Sequence, residues 1–338
     1  MMDLNTLWFI LITVLFIGFF FLEGFDYGVG ALTMFLSPHD KDRSILLRTI
    51  TPVWDGNEVW MITAGGALFA AFPHVYSTMF ATFYLALFLM LFALILRGVA
   101  FDFRERHDSV CWRHGWESAI AFGSIVPAFL WGVAVTNLIA GVAINEKMIY
   151  TGSFFDLLTP YTIIGGVTFV FVFLFHGAAF LSFRIVDLGL IRRAQQMGVK
   201  LGAIAAALFV LCMVMTFQYT DLFNSTLAAA ALVGAAVVFV IAIWNLAKGI
   251  YKPSFICSSL AIVLTTVAFF AGLFPRLMVS SLNPAWSLTI TNASSTPYTL
   301  SVMTVAAGIF VPIVILYQCW SYYIFRKRVT AQDAEEHY

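Results

Sequence analysis

The chain has 338 residues, of which 61% are hydrophobic and 11% charged, and its mean hydropathy is +0.92. Soluble domains run at about 45–50% apolar and about 25% charged, so a soluble globule is excluded and an integral membrane protein is indicated. Eighteen basic against eighteen acidic side chains leave no basic excess to attract nucleic acid.

A bilayer core of about 30 Å is crossed by about 20 helical residues. Apolar runs near 7–36, 52–72, 75–98, 117–140, 160–184, 200–219, 226–247, 254–278 and 300–324 predict an all-α polytopic membrane fold. Eight or nine spans fit, with nine preferred. The expected arrangement is one integral membrane domain over residues 1–338. A first four-helix bundle covers about 1–140, a second about 160–325, and one helix is extra. The opening "MMDLNT" lacks the basic residues of a cleavable leader, so the first run reads as a retained helix. At about 45 Å it tilts or projects beyond the lipid.

The first run contains "FLEGFDYGVG", in which Glu23 and Asp26 share one helix face. The second begins at "TPVWDGNEVW", with Thr51 as N-cap and Pro52 as first helical residue. Asp55 then falls in the first turns, where the helix dipole favours its anion, and Glu58 lies one turn deeper. Gly24 and Gly28 in the first run, and Gly65 and Gly66 in "AGGALFAA", are small residues that let membrane helices approach closely. They predict that the first two spans are neighbours and that all four acids converge on one half of the membrane.

The connections after alternate runs hold sixteen of the eighteen basic residues. Lys41, Arg43 and Arg48 precede the second run. Arg97, Arg104, Arg106 and Arg113 follow the third, and Arg184, Arg192, Arg193 and Lys200 the fifth. Lys248 and Lys252 follow the seventh, and Arg326, Lys327 and Arg328 lie in the tail, leaving Lys147 and Arg276 on the other side. The positive-inside rule then predicts an outer N-terminus, a cytoplasmic C-terminus and an odd number of spans. "HDKDRS" and "RRAQQMGVK" read as inner loops.

An ionised Asp at a span centre costs about 2.5–3.5 kcal/mol on insertion scales. Four such acids close together are costly unless they are used. Protonation relieves much of that cost, and carboxyls that gain and lose protons are what a proton relay requires. The plainer alternative is structural: the acids cap helix ends, pair with Arg, or bond to Trp54, Asn57 and Trp60. For a single interfacial acid such as Glu117, near Arg113, pairing is the favoured reading. His176, the one His well inside a span, is a weaker candidate for haem ligation with a Met on the other face. His74 falls in an outer turn. Pro127, Pro275 and Pro312 are expected to kink or end spans, and Trp131, Tyr150 and Trp286 to lie in interface belts. Cys111, Cys212, Cys257 and Cys319 form no CxxC pair, which argues against a zinc site or a disulfide framework. No phosphate loop, HExxH pair or Ser/His/Asp order supports nucleotide or hydrolase chemistry.

"GFDYGVGAL", "TPVWDGNEVW" with "MITAGGALFAAFPHVY", "LRGVAFDFR", "WGVAVTNLIAG", "YTGSFFDLLTP" and "NASSTPYTLSVMTVAA" resemble, in order and over most of the chain, subunit II of cytochrome bd quinol oxidase. The chain lacks an outer insertion that some members carry between the sixth and eighth runs. The resemblance implies a bacterial inner-membrane complex that oxidises quinol and reduces oxygen to water, building membrane potential. It implies that haems b and d belong to subunit I. Subunit II is then a haem-free partner in a pseudo-symmetric heterodimer, often joined by a small single-span subunit. It further implies a cytoplasmic proton route through Asp55 and Asp26, with Glu23 at another acidic position and Glu58 where some members carry Gln. Trp60 matches a position near the mouth of an oxygen tunnel. A structurally held quinone is implied for some members, with no residue here assigned to it. Two alternatives stay open: a stand-alone proton-coupled transporter, against which the confinement of deep acids to the first two runs counts, and a purely structural scaffold.

Overall fold

The computed structural model describes residues 3–333. Eleven helices run in chain order: α1 (Leu4–Leu36), α2 (Asp40–Arg48), α3 (Trp54–Ala71), α4 (Pro73–Thr82), α5 (Tyr84–Arg104), α6 (Val110–Ala140), α7 (Pro160–Arg184), α8 (Leu188–Tyr219), α9 (Thr226–Ala247), α10 (Tyr251–Leu273) and α11 (Pro297–Ile324). Among the described residues, α1 and α5 to α11 are the eight helices long and apolar enough to cross a membrane. The 18-residue α3 carries Asp55 and Glu58 and falls short of that apolarity.

The helix ends follow local chemistry. Asp3 caps α1 by accepting from the Asn5 N–H, Thr159 caps α7 ahead of Pro160, and Thr296 caps α11 ahead of Pro297. The start of α3 differs from expectation. Thr51 and Pro52 lie in turns that continue from α2, and the cap position is Val53, with no side-chain bond. Backbone bonds from Val53 and Trp54 to the Ile50 carbonyl take up donors that a side-chain cap would have served.

Other boundaries also moved. "HDKDRS" is largely helical in α2, and "RRAQQMGVK" lies inside α8, because charged residues continue a helix beyond the lipid wherever nothing breaks it. The third run is divided at Phe83 into α4 and α5. The eighth ends at Leu273, after which β1 (Arg276–Met278) pairs antiparallel with β2 (Leu288–Thr289).

α1 is the central post, packed against α3, α6, α7 and α10. Its GxxxG does not face α3. Gly28 lies against the Gly177 backbone of α7, and Gly24 against the Phe173 ring of the same helix. A Cβ at Gly28 would collide with main chain, which cannot yield as a flexible side chain does. Gly18 is the α1 glycine that meets α3, through Trp60. Among the described residues nothing lies within 4 Å of a Cβ built on Gly65 or Gly66, so neither packs against a helix there. Pairs α5–α6, α7–α8 and α9–α10 complete the body, whereas α11 touches chiefly α1 and α3 and buries only Leu300. Trp131 is drawn into an aromatic core, edge-on to Phe16 and Phe20 at 5.8 and 5.5 Å, rather than an interface belt.

Candidate functional site: a buried acid cluster around Arg97

α1, α3 and α5 bring three carboxyls to one guanidinium. Arg97 of α5 is fully buried, and its Nη1 donates to Glu23 Oε1 of α1 at 2.7 Å and to Glu58 Oε1 of α3 at 2.6 Å. The Arg97 guanidinium lies 5.1, 5.8 and 5.6 Å from the ring centres of Tyr27, Trp54 and Phe101, a cation–π lining that suits arginine. Trp54 is stacked on Phe101 at 4.9 Å, so its role is to floor the guanidinium.

Asp26 is also fully buried, and its Oδ2 accepts from Asn57 Nδ2 at 2.5 Å. Asn57 Oδ1 in turn accepts from Gln318 Nε2 at 3.0 Å and Tyr322 OH at 2.9 Å. A buried amide thus links the α1 acid to α11, the helix with the least packing. Asp55 does not join this group. It is exposed at the rim of α3, and its Oδ1 accepts from the Gly56 N–H at 2.7 Å. Glu58 is intermediate, with a side chain 20% exposed. The four acids therefore form a graded series: Asp55 outside, Glu58 at the threshold, Asp26 and Glu23 inside. Trp60, two residues beyond Glu58 on α3, packs over Gly18.

The cluster is short of both charge and hydrogen bonds. It sets one cation against three carboxyls. Glu23 Oε2, Asp26 Oδ1, Tyr27 OH and two Arg97 nitrogens (Nε and Nη2) are buried without a protein partner. Buried polar atoms are overwhelmingly bonded, so five unpaired ones together mark a place built for more than packing.

Arg97, Gln318 and Tyr322 escaped the sequence reading. Arg97 was counted among loop cations, but it belongs to the helix and drops out of the topology count. A signal was there: Ala93, Arg97, Ala100 and Arg104 recur at helical spacing and form the buried face of α5. Glu117 also has different partners from those expected. It pairs with Arg43 at 2.5 Å and Arg104 at 2.8 Å, while Arg113 pairs with Asp40 and Asp108. Both ring nitrogens of His176 are engaged, Nδ1 with Ser258 Oγ at 2.7 Å and Nε2 with the Phe21 carbonyl at 3.2 Å, and the ring stacks on Phe255 at 4.7 Å. That arrangement does not fit haem ligation. Among the described residues no group of three His, Cys, Asp or Glu is placed to hold a metal ion.

Long apolar helices packed around carboxyls buried beside an arginine define a polytopic all-α membrane protein. The comparisons make this specific. The profile of the family "Cytochrome bd terminal oxidase subunit II" matches residues 4–325, and the chain belongs to that family. It is 42% identical to the cytochrome bd ubiquinol oxidase subunit 2 of Bacillus subtilis, over 98% of this chain and 99% of the relative. It is 37% identical to the cytochrome bd-I ubiquinol oxidase subunit 2 of Escherichia coli K12, over 98% and 97%. A chain in the structure of the bd oxidase from Geobacillus thermodenitrificans shares the fold, with a TM-score of 0.74 at 18% identity over 96% of this chain and all of the other. The protein is a subunit of a quinol oxidase, its partner is a subunit I, and the stand-alone transporter reading falls away.

Proposed function

We propose that this chain is the haem-free subunit of its oxidase, that it stabilises the haem-bearing subunit I, and that it supplies protons for oxygen reduction through its acid cluster. The observation that carries the reading is the graded series from exposed Asp55 through half-buried Glu58 to buried Asp26 and Glu23, ending on an arginine that satisfies only part of them. Asp55 lies about one turn before Glu58 on α3 and two residues before Asn57, which holds Asp26. A proton taken up at Asp55 passes to Glu58 or to Asp26, and the unpaired oxygens of Asp26 and Glu23 and the Tyr27 hydroxyl offer the next acceptors. Arg97 stays cationic (guanidinium is not deprotonated in proteins) and holds the balancing charge while a proton comes and goes. Ordered water fits the five unpaired buried atoms.

The basic residues gathered at the Asp55 end favour a cytoplasmic placement of that end; with α3 crossing as a ninth span, the N-terminus is then outside and the C-terminus inside. Protons drawn from the cytoplasm, with quinol protons released outside, build membrane potential. Haems b and d are assigned to the partner subunit, where they supply the oxygen chemistry. A small single-span subunit, membrane lipids and quinol as the substrate of the complex complete the reading. Trp60, packed on Gly18, is the position proposed for an oxygen path.

The test is Asp26→Asn in the intact complex. Asparagine keeps the bond partner of Asn57 but cannot carry a proton. The expected result is a normal haem spectrum with oxygen consumption lowered roughly 10²-fold, the lower end of what a positioned proton-transfer group contributes. Normal turnover with intact haems would sink the relay. One observation favours the scaffold reading as a rival: Arg97 ties α1, α3 and α5 together. Loss of haem from Asp26→Asn would decide for it.

A further inference from the structure

A cleft of about 910 Å³ opens at the end of the molecule where α7 and α11 finish and α3 and α10 begin. Its back wall is α1, α3 and α7, and α10 and α11 stand at its sides. Phe21, Phe25, Phe180, Phe183 and Phe255 make one continuous aromatic surface in it, with Phe25 stacked on Phe180 at 4.2 Å and Phe255 5.1 Å from Phe183. On the α11 side the lining runs from Ile315 to Phe325, about 15 Å of helix.

The mouth is basic. Arg184, Lys252, Arg326 and Arg328 line it, and among the described residues no carboxylate does. Arg184 donates from Nη2 to the Phe325 carbonyl at 2.6 Å, and its Nε is buried without a partner. Arg326 lies on the Tyr323 ring and Arg328 donates to the Ile185 carbonyl. Among the described residues none of the four pairs with an acid. By contrast, Arg43, Arg104, Arg113 and Arg193 at the same end each have an acidic partner.

We propose that this cleft binds an anionic phospholipid, with an acyl chain along the phenylalanine wall and the phosphate at Arg184 and its basic neighbours. The charge selects the ligand. A neutral amphiphile fills the aromatic part but leaves a partly buried guanidinium unpaired, whereas a phosphate supplies the missing acceptor and matches arginine's fork. The cleft also borders Gln318 and Tyr322, whose bonds to Asn57 hold α11 in place. A lipid seated here therefore secures the helix with the least packing of its own.

The experiment uses the intact oxidase complex, washed in detergent. Retained phospholipid is measured by mass spectrometry, and thermal unfolding is followed on adding back phosphatidylglycerol, phosphatidylcholine or inorganic phosphate in mixed micelles. The wild type is expected to retain phosphatidylglycerol and to be stabilised by it, and not by phosphatidylcholine or phosphate. Lys252→Gln and Arg184→Gln each raise the phosphatidylglycerol concentration needed by about fivefold, the effect of one basic residue on an anionic lipid. Arg184→Lys keeps most of the response. If Arg184→Gln fails to assemble, exposed Lys252→Gln and charge-keeping Arg184→Lys carry the decision. Equal responses to the two lipids, or glutamine variants that hold phosphatidylglycerol as the wild type does, overturn the proposal. Phosphate acting as well as phosphatidylglycerol overturns the lipid and leaves a simple anion site.

Discussion

Two buried arginine–glutamate clusters lie in the same half of this protein, and they are built to opposite specifications. At the end of α2, Glu117 accepts on both oxygens: Oε1 from Arg104 Nε and Nη2 at 3.0 and 2.8 Å, Oε2 from Arg43 at 2.5 Å, with His114 Nδ1 3.2 Å from Oε2. Arg104 goes on to Asp40 and Glu105. Both oxygens of the buried Glu117 are paired, two guanidiniums share its charge, and the network clamps α2 to α5 and α6. Around Arg97 the acids outnumber the cation and five polar atoms stand unpaired. A saturated network resists change of charge. An unsaturated one can take up a proton without breaking a bond. The first is a clamp and the second is equipped to be a relay, although the sequence writes both as Glu and Arg in apolar helices.

The comparison can be broken by mutation. The largest expected effect is on the clamp. Glu117→Ala takes from two buried guanidiniums, which cannot shed their charge, the one fully buried acid they share, and should cost about 3–5 kcal/mol. Thermal unfolding of the complex should show it, with haem lost as the assembly weakens. Arg97→Gln should cost less, about 1–3 kcal/mol, because the carboxyls it abandons can neutralise themselves by taking protons. Its mark is instead slowed oxygen consumption with the haem spectrum retained. If the two variants destabilise equally, the distinction between clamp and relay fails.

Glycine packing gives a smaller contrast. Gly28→Ala drives a methyl into the α7 backbone and should cost about 1–3 kcal/mol. Gly65→Ala meets nothing among the described residues, so a change in the stability of the complex beyond about 0.5 kcal/mol, followed by thermal unfolding, would show that the partner subunit packs there. The smallest stability effect is at Asp55. Asp55→Asn should leave stability within about 0.5 kcal/mol of wild type, as read by thermal unfolding, while slowing turnover measured by oxygen electrode. An equal fall in stability and rate would place Asp55 in the scaffold.

Hydropathy alone located the long helices, because a lipid solvent places its demand on each segment locally: a span needs about 20 apolar residues whatever its neighbours are. The same local rule picked out Glu23, Asp26 and Glu58 as anomalies. The ordered motifs from "GFDYGVGAL" to "NASSTPYTLSVMTVAA" pointed to the family. Helix starts were less legible. Thr51-Pro52 has the composition of a cap, but turns running on from α2 already satisfied those backbone donors.

Only the tertiary structure decided which groups meet. Arg97 reaches Glu23 across 74 residues of sequence and Glu58 across 39, and Tyr322 reaches Asn57 across 265. No helical period carries such information. The GxxxG of α1 marked a close approach correctly but could not say that α7, not α3, makes it. Periodicity fixes which face of a helix is buried. The partner opposite that face is chosen by how all the helices pack at once, and here that choice separated a closed ionic clamp from an open acid cluster.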